Sequence, residues 1–215
     1  MAHRSARRFV TRVAALCAAL LLSACATQAL VIDDPNWQRH EASVAMLDDW
    51  ELSGRLVVRQ DGNSDTVNIN WRQQGDAFDL RLFVGNLGLG AVRVSGAANA
   101  VTVEKAGETP VTLPSLAAVT REYFGYEFPT QELLYWVRGL PAPRRGSNTL
   151  DANGMLATLK QNDASNLGWN LTFERYLELE GAAGIYLPGR IVAQREGLEL
   201  RFLINKWIVP PTAQP

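Results

Sequence analysis

From Glu51 onward, apolar residues fall on every second position. Leu52, Leu56 and Val58 begin the pattern. Val67, Ile69 and Trp71 alternate with Thr66, Asn68, Asn70 and Arg72; Phe78, Leu80, Leu82 and Val84 alternate with Asp79 and Arg81; Val92 with Val94 and Val101 with Val103 continue it. A period of two belongs to strands with one buried face. Asp61-Gly62-Asn63, Gln74-Gly75-Asp76, Gly96 to Asn99 and Gly107 supply the turns of an antiparallel meander of five or six strands. The alternation returns at Trp169, Leu171 and Phe173, at Ile191 and Ala193 before the Glu196-Gly197 turn, and from Leu198 through Ile204 to Trp207. A one-sided sheet of ten or so strands has a large apolar face to cover, and curling into a barrel covers it. Periodicity does not decide whether the interior is filled by side chains or left as a ligand cavity.

Helices are expected at three places. Pro35 opens an amphipathic segment with Trp37, Val44, Leu47 and Trp50 at helical spacing, which would put His40 on the surface of that helix. Ser115 caps a helix that runs to Phe124 and stops at Gly125. Thr130 caps another from Gln131 to Arg138, ended by Gly139 and Pro141, and residues 141–153 read as a loop. Short helices of this kind can close the mouth of a barrel.

The first 24 residues read as a leader. Arg4, Arg7, Arg8 and Arg12 are basic, with no acid before Asp33, and Val13 to Leu22 is an apolar run of about ten residues. That is too short for a hydrocarbon core of roughly 30 Å, which needs about 20 residues. Leu22-Ser23-Ala24-Cys25 then matches the bacterial lipobox, with Cys25 as the residue to be lipidated. Cleavage removes the four leader arginines and shifts the net charge from −1 to −5, which argues against a nucleic-acid partner or a polybasic membrane patch. Cys17 leaves with the leader, so no disulfide is expected.

Catalytic patterns are sparse. His40 is the one histidine outside the leader, so neither a zinc site nor a Ser-His-Asp arrangement has its residues, and no cofactor is expected. Gly85-Asn86-Leu87-Gly88-Leu89-Gly90 is glycine-rich but lacks the lysine of a phosphate-binding loop. It joins two strands, yet it carries two leucines and no charge. These leucines either fold back into the core or form an apolar finger for lipid or a partner. Six tryptophans, at 37, 50, 71, 136, 169 and 207, offer core bulk or a wide apolar lining for acyl chains.

The ordered motifs resemble the LolB family of outer-membrane lipoprotein receptors. They are Pro35-Asn36-Trp37-Gln38, Gly54-Arg55, Asn70-Trp71-Arg72-Gln73, Leu87-Gly88, Trp136-Val137-Arg138-Gly139-Leu140-Pro141, Gly168-Trp169 near Gln161, Leu187-Pro188 and Ile204-Asn205-Lys206-Trp207. The resemblance implies a mainly β fold with helices: an incomplete antiparallel barrel of about ten or eleven strands, closed by a short helical lid around an apolar cavity. It also implies a monomer that accepts lipoproteins from a LolA-like periplasmic carrier and incorporates them into the outer membrane. Leu87 aligns with the family's exposed loop leucine. Asn86 stands where the family has proline, so Leu89 is expected to share the tip. Ala26, not aspartate, follows Cys25, which fits outer-membrane delivery under the enteric sorting rule.

The expected organisation is a removed signal peptide (1–24), a lipidated tether (25–34), a barrel domain (35–209) and a tail (210–215). The acyl-chain cavity is expected to draw on Ile69, Trp71, Leu80, Leu82, Trp136 and Trp169, with Leu87 and Leu89 meeting outer-membrane lipid. A lipid-anchored carrier or scaffold for another apolar ligand is the alternative, and a hydrolase using unpaired acids has little support.

Overall fold

The computed structural model describes residues 30–84, 90–97, 99–125 and 127–209. The chain runs α1 (Pro35–Ala45), β1 (Asp49–Gln60), β2 (Asn63–Gln74), β3 (Ala77–Val84), β4 (Gly90–Ala97), β5 (Ala100–Lys105), β6 (Val111–Leu113), α2 (Leu116–Phe124), α3 (Thr130–Trp136), β7 (Gly146–Leu150), β8 (Leu156–Asn162), β9 (Gly168–Glu178), β10 (Tyr186–Arg195) and β11 (Leu198–Ile208). All eleven strands join one antiparallel sheet in the order β6-β5-β4-β3-β2-β1-β11-β10-β9-β8-β7. The first meander grows outward from β1, and the second returns inward to β11. The edges β6 and β7 do not pair, so the barrel is incomplete, and α2 and α3 lie in the connection between those two edges.

The alternation buries one face. Trp50, Leu52, Leu56 and Val58 of β1 point into the core with Val67, Ile69 and Trp71 of β2 and Leu198, Leu200 and Phe202 of β11. The opposite face carries a charge ladder. Arg72 meets Glu51 across β1 and β2 at 3.4 Å, and Arg93 meets Asp79 at 2.8 Å and Glu104 at 3.3 Å across β3, β4 and β5.

Helix ends follow local chemistry. The Asp34 carboxylate accepts from the Asn36 and Trp37 amides at 2.8 and 2.9 Å, and Pro35 needs no donor partner in the first turn. Ser115 Oγ accepts from Ala118 N, and Gly125 ends α2 at φ 80°. The lid's second helix is shorter than its pattern: it runs from Thr130 to Trp136, with Pro129 at the N-cap position making no side-chain cap bond. Two other expectations need correction. Trp50 belongs to β1, not to the first helix. The 141–153 segment contains β7, and β8 precedes Trp169.

Gly54 marks a close approach. The β1–β11 register shifts between Ser53 and Gly54, where Ser53 faces Lys206 and Gly54 faces Ile204, so β11 carries one extra residue. A Cβ on Gly54 would lie 2.3 Å from the Leu203 carbonyl oxygen and 2.9 Å from Ile204 Cα. Both are backbone atoms that cannot swing aside. Gly54→Ala should therefore destabilise the fold by about 2 kcal/mol, read as a lower urea midpoint.

Candidate functional site

An apolar cavity lies between the inner face of the sheet and the lid. Leu56, Val67, Ile69, Trp71, Leu80, Leu82, Val94 and Phe202 form its sheet side; Leu116 and Val119 of α2, Phe128, and Leu133 of α3 form its roof. Thr120 and Thr130 add hydroxyls to this apolar wall. The Thr120 hydroxyl donates to Ala117 O at 3.0 Å and accepts from Phe128 N at 3.3 Å, so it ties the two lid segments together instead of facing a ligand. The cavity measures about 70 Å³. Pockets that engulf a drug-sized ligand occupy roughly 300–1,000 Å³, so this cavity as it stands is too small to take one. A larger neighbouring groove of about 260 Å³, bordered by Gln73, Phe78, Ser115 and Leu134, shares Trp71, Leu116 and Thr130 with the cavity. Those three side chains are the partition between the two spaces.

Four of the six expected lining residues, Ile69, Trp71, Leu80 and Leu82, meet here on neighbouring strands β2 and β3. Trp136 and Trp169 do not border this cavity. Their rings pack together at 5.8 Å between centroids, on the β8–β9 side of the core. Trp136 Nε1 donates to Gln161 Oε1 at 3.1 Å, and Trp169 Nε1 donates to Asp163 Oδ2 at 2.9 Å. Leu87, Leu89 and Cys25 lie outside the described residues.

The tryptophan-rich motifs act as joints. Trp50 stands between Trp71 and Trp207, with centroids at 5.1 and 5.4 Å. Trp207 Nε1 donates to Pro188 O, and Pro188 Cγ would lie 2.9 Å from a Cβ on Gly139, whose φ is +75°. Arg138 Nε donates to Leu134 O at 2.8 Å and its Nη1 to Leu47 O at 3.3 Å, fixing the end of α3 to the segment after α1. Gln161 is buried and uses its whole amide. Oε1 accepts from Trp136 and Ala142 N, and Nε2 donates to Ala142 O and Arg144 O. Beside it, buried Glu132 accepts from Arg144 Nε at 2.9 Å, in the first turn of α3, where the helix dipole also favours a carboxylate. Sequence reasoning gave Glu132 no part; its place among the apolar positions of a short helix was the available signal.

His40 corrects its surface expectation: it is 8% exposed, tilted against Trp37 at 5.8 Å and edge-on to Tyr176 at 6.4 Å. Its Nε2 finds no hydrogen-bond partner among the described residues. Burial lowers its pKa from the ordinary 6.5. The folded state thus resists a proton that the unfolded chain accepts. The stability tied to neutral His40 is whole above pH 6.5 and is lost as pH falls below it, by at most about 1.4 kcal/mol per pH unit. Urea titrations between pH 7 and 5.5 should show this slope, and His40→Phe should flatten it.

Among the described residues, no three His, Cys, Asp or Glu side chains gather closely enough to hold a metal ion, and no helix is long and apolar enough to cross a membrane. The family model described as outer membrane lipoprotein LolB matches residues 48–207. Outer-membrane lipoprotein LolB of Stutzerimonas stutzeri is 36% identical over 198 residues, which cover 89% of this chain and 92% of that protein. The protein of the same name from Pseudomonas aeruginosa strain LESB58 is 36% identical over 176 residues, 81% of this chain and 82% of that one. A solved structure, the putative outer membrane lipoprotein-sorting protein domain from Vibrio parahaemolyticus, shares the fold. Its TM-score is 0.53 at 10% identity, covering 83% of this chain and 92% of that one. With the family match spanning both meanders and the lid, the chain belongs to the LolB family of outer membrane lipoproteins.

Proposed function

We propose that this chain receives lipoproteins from a soluble periplasmic carrier and places them in the outer membrane, with their acyl chains lodged beneath the lid. The observation that carries this reading is the apolar cavity roofed by Leu116, Val119 and Leu133 on a sheet whose edges do not pair. The lid is held there by packing and by side-chain bonds of Glu132, Trp136 and Arg138 on and beside α3, so retreat of its α2 side breaks no strand ladder. Withdrawal of Leu116 and Thr130 leaves only Trp71 between the two spaces and widens the passage from cavity to groove. An entering acyl chain replaces the lid leucines against Ile69, Leu80 and Leu82, so the apolar surface that opening uncovers is covered again.

Transfer then follows relative affinity. A tenfold bias needs about 1.4 kcal/mol, and each methylene buried better than in the carrier supplies about 0.8 kcal/mol, so two methylenes exceed it. Cys25 is the proposed anchor, and Leu87 and Leu89 the proposed contacts with lipid. No step in this scheme makes or breaks a covalent bond, so we assign no enzymatic role.

A photoreactive benzoyl-phenylalanine at Leu82 tests the site. Illumination during transfer should crosslink it to the lipoprotein cargo, while the same group at Leu159, which is fully buried and does not line the cavity, should not. Equal capture at both positions, or capture of free lipid alone at Leu82, would overturn the reading.

A further inference from the structure

We infer that the free edge of β7 is the seat for the peptide tether of a cargo lipoprotein, the extended segment that follows its lipidated cysteine. This inference deepens the receptor reading and rests on it.

The two sheet edges are not alike. β6 is three residues long, Val111–Leu113, and Pro110 and Pro114 bound it. Proline has no N–H to offer a neighbouring strand, so this edge is blunted. β7 is longer, Gly146–Leu150, with no proline inside it and small polar residues at Ser147, Asn148 and Thr149. It pairs with β8 on one side, so every second N–H and C=O of its backbone points away from the sheet.

The chain already lays one extended segment beside this edge: its own residues 30–34, ahead of α1. Leu30 N donates to Arg144 O at 2.9 Å, just before β7, and the Asp34 carboxylate lies 3.7 Å from where a Cβ on Gly154, in the turn after β7, would stand. The segment therefore follows β7 from its start to its end, and each takes about 13 Å in extended steps. Ile32 is buried while Val31 and Asp33 are exposed, the alternation of a strand. Yet among the described residues the Leu30–Arg144 bond is the one backbone bond that ties residues 30–33 to this edge. A resident held so lightly is open to exchange.

The resident also defines what fits. It is the stretch five to nine residues after Cys25, the residue proposed to carry lipid. A cargo lipoprotein presents the same chemistry, a lipidated cysteine followed by peptide. Pairing along an edge strand grips the backbone that every peptide has, which suits cargos that share a lipid and not a sequence. The reach agrees. Leu133 of α3 roofs the cavity, and its neighbour Glu132 accepts from Arg144, where the seat begins. A helix is about 10 Å wide, which about three or four extended residues cross. With its acyl chains under the lid, a cargo tether reaches β7 within about five residues of its cysteine and takes the place of residues 30–33.

Benzoyl-phenylalanine in place of Ser147 on β7 or, for comparison, Thr112 on β6 tests the seat in the full lipidated protein, after circular dichroism confirms folding. Illumination with carrier-borne lipoprotein, then digestion and mass spectrometry, should show several-fold stronger capture at Ser147, through residues within about ten of the cargo cysteine. Leu30→Pro removes the N–H that Arg144 O accepts and so loosens the resident segment. It should raise capture at Ser147 several-fold, while Leu30→Ala, which keeps the N–H, should not. Equal capture at both edges, or capture that Leu30→Pro leaves unchanged, overturns the seat. The Leu82 crosslink separates the two claims. Cargo captured at Leu82 but not at Ser147 rejects the seat and leaves the receptor reading standing; cargo captured at neither position rejects both.

Discussion

Gln161→Leu should lower stability by about 4 kcal/mol and the melting temperature by roughly 10 °C, although it nearly preserves side-chain volume. The native amide satisfies four groups: Trp136 Nε1, the Ala142 amide and carbonyl, and the Arg144 carbonyl. Leucine can pair with none of them. Each buried polar group left alone costs about 1–3 kcal/mol, and relaxation of the 142–144 segment recovers part of the sum. Loss of the segment's anchor also loosens Arg144 from buried Glu132, so α3 should lose protection in hydrogen exchange before the β1–β2 core does. Gln161→Glu is the sharper control. It keeps an acceptor for Trp136 and Ala142 N but sets a carboxylate against two carbonyls. A variant as stable as the native protein would show that water replaces these bonds.

Trp50→Ala should cost about 4 kcal/mol, in the range of large-to-small core replacements. Its ring is 1% exposed and fills the space between Trp71 and Trp207. The consequence reaches beyond stability because Trp71 is both Trp50's neighbour and part of the partition between cavity and groove. Without Trp50, Trp71 gains room to turn away, and the closed form should bind an apolar dye that the native protein excludes. Urea melts and dye fluorescence measure the two effects separately. Trp50→Phe should retain most of the stability. Unchanged dye binding in a folded Trp50→Ala protein would show that Trp71 is fixed from another side, where its Nε1 donates to Gln73 Oε1 at 3.0 Å.

These two sites also show which parts of the fold were legible. The first meander was plain because each strand buries one face and wets the other, as in Val67, Ile69 and Trp71 against Asn68, Asn70 and Arg72. The caps at Asp34 and Ser115 follow the same local logic. The second meander begins obscurely. β7 is an edge strand with no fully buried residue, so no alternation exists to read. In β8 the buried positions are 156, 159 and 161, because the register slips near Leu150, and the third of them is a glutamine. Trp50 stands at helical spacing from Leu47 by coincidence of position, one residue past the start of β1. His40 looked wet because its one-dimensional neighbours Arg39 and Glu41 are polar, yet it shares the inward side of α1 with Trp37 and Val44. For the cavity, the alternation on β2 and β3 marked Ile69, Trp71, Leu80 and Leu82 as inward-facing, and these four border one space. Periodicity alone could not tell a lining tryptophan from one locked into an indole–amide joint, because both are inward-facing.

The pairing of the first strand with the last has a consequence for how the molecule is made. β1 is joined to β11 along ten residue pairs, and these partners lie roughly 140 positions or more apart in the chain. A polypeptide delivered across the inner membrane from its N-terminus can zip β1 through β6 early, by local hairpins, but the free side of β1 stays unpaired until the final strand arrives. The seam at the middle of the sheet is therefore expected to form last, and pulsed hydrogen exchange during refolding should protect β1–β2 amides before β1–β11 ones.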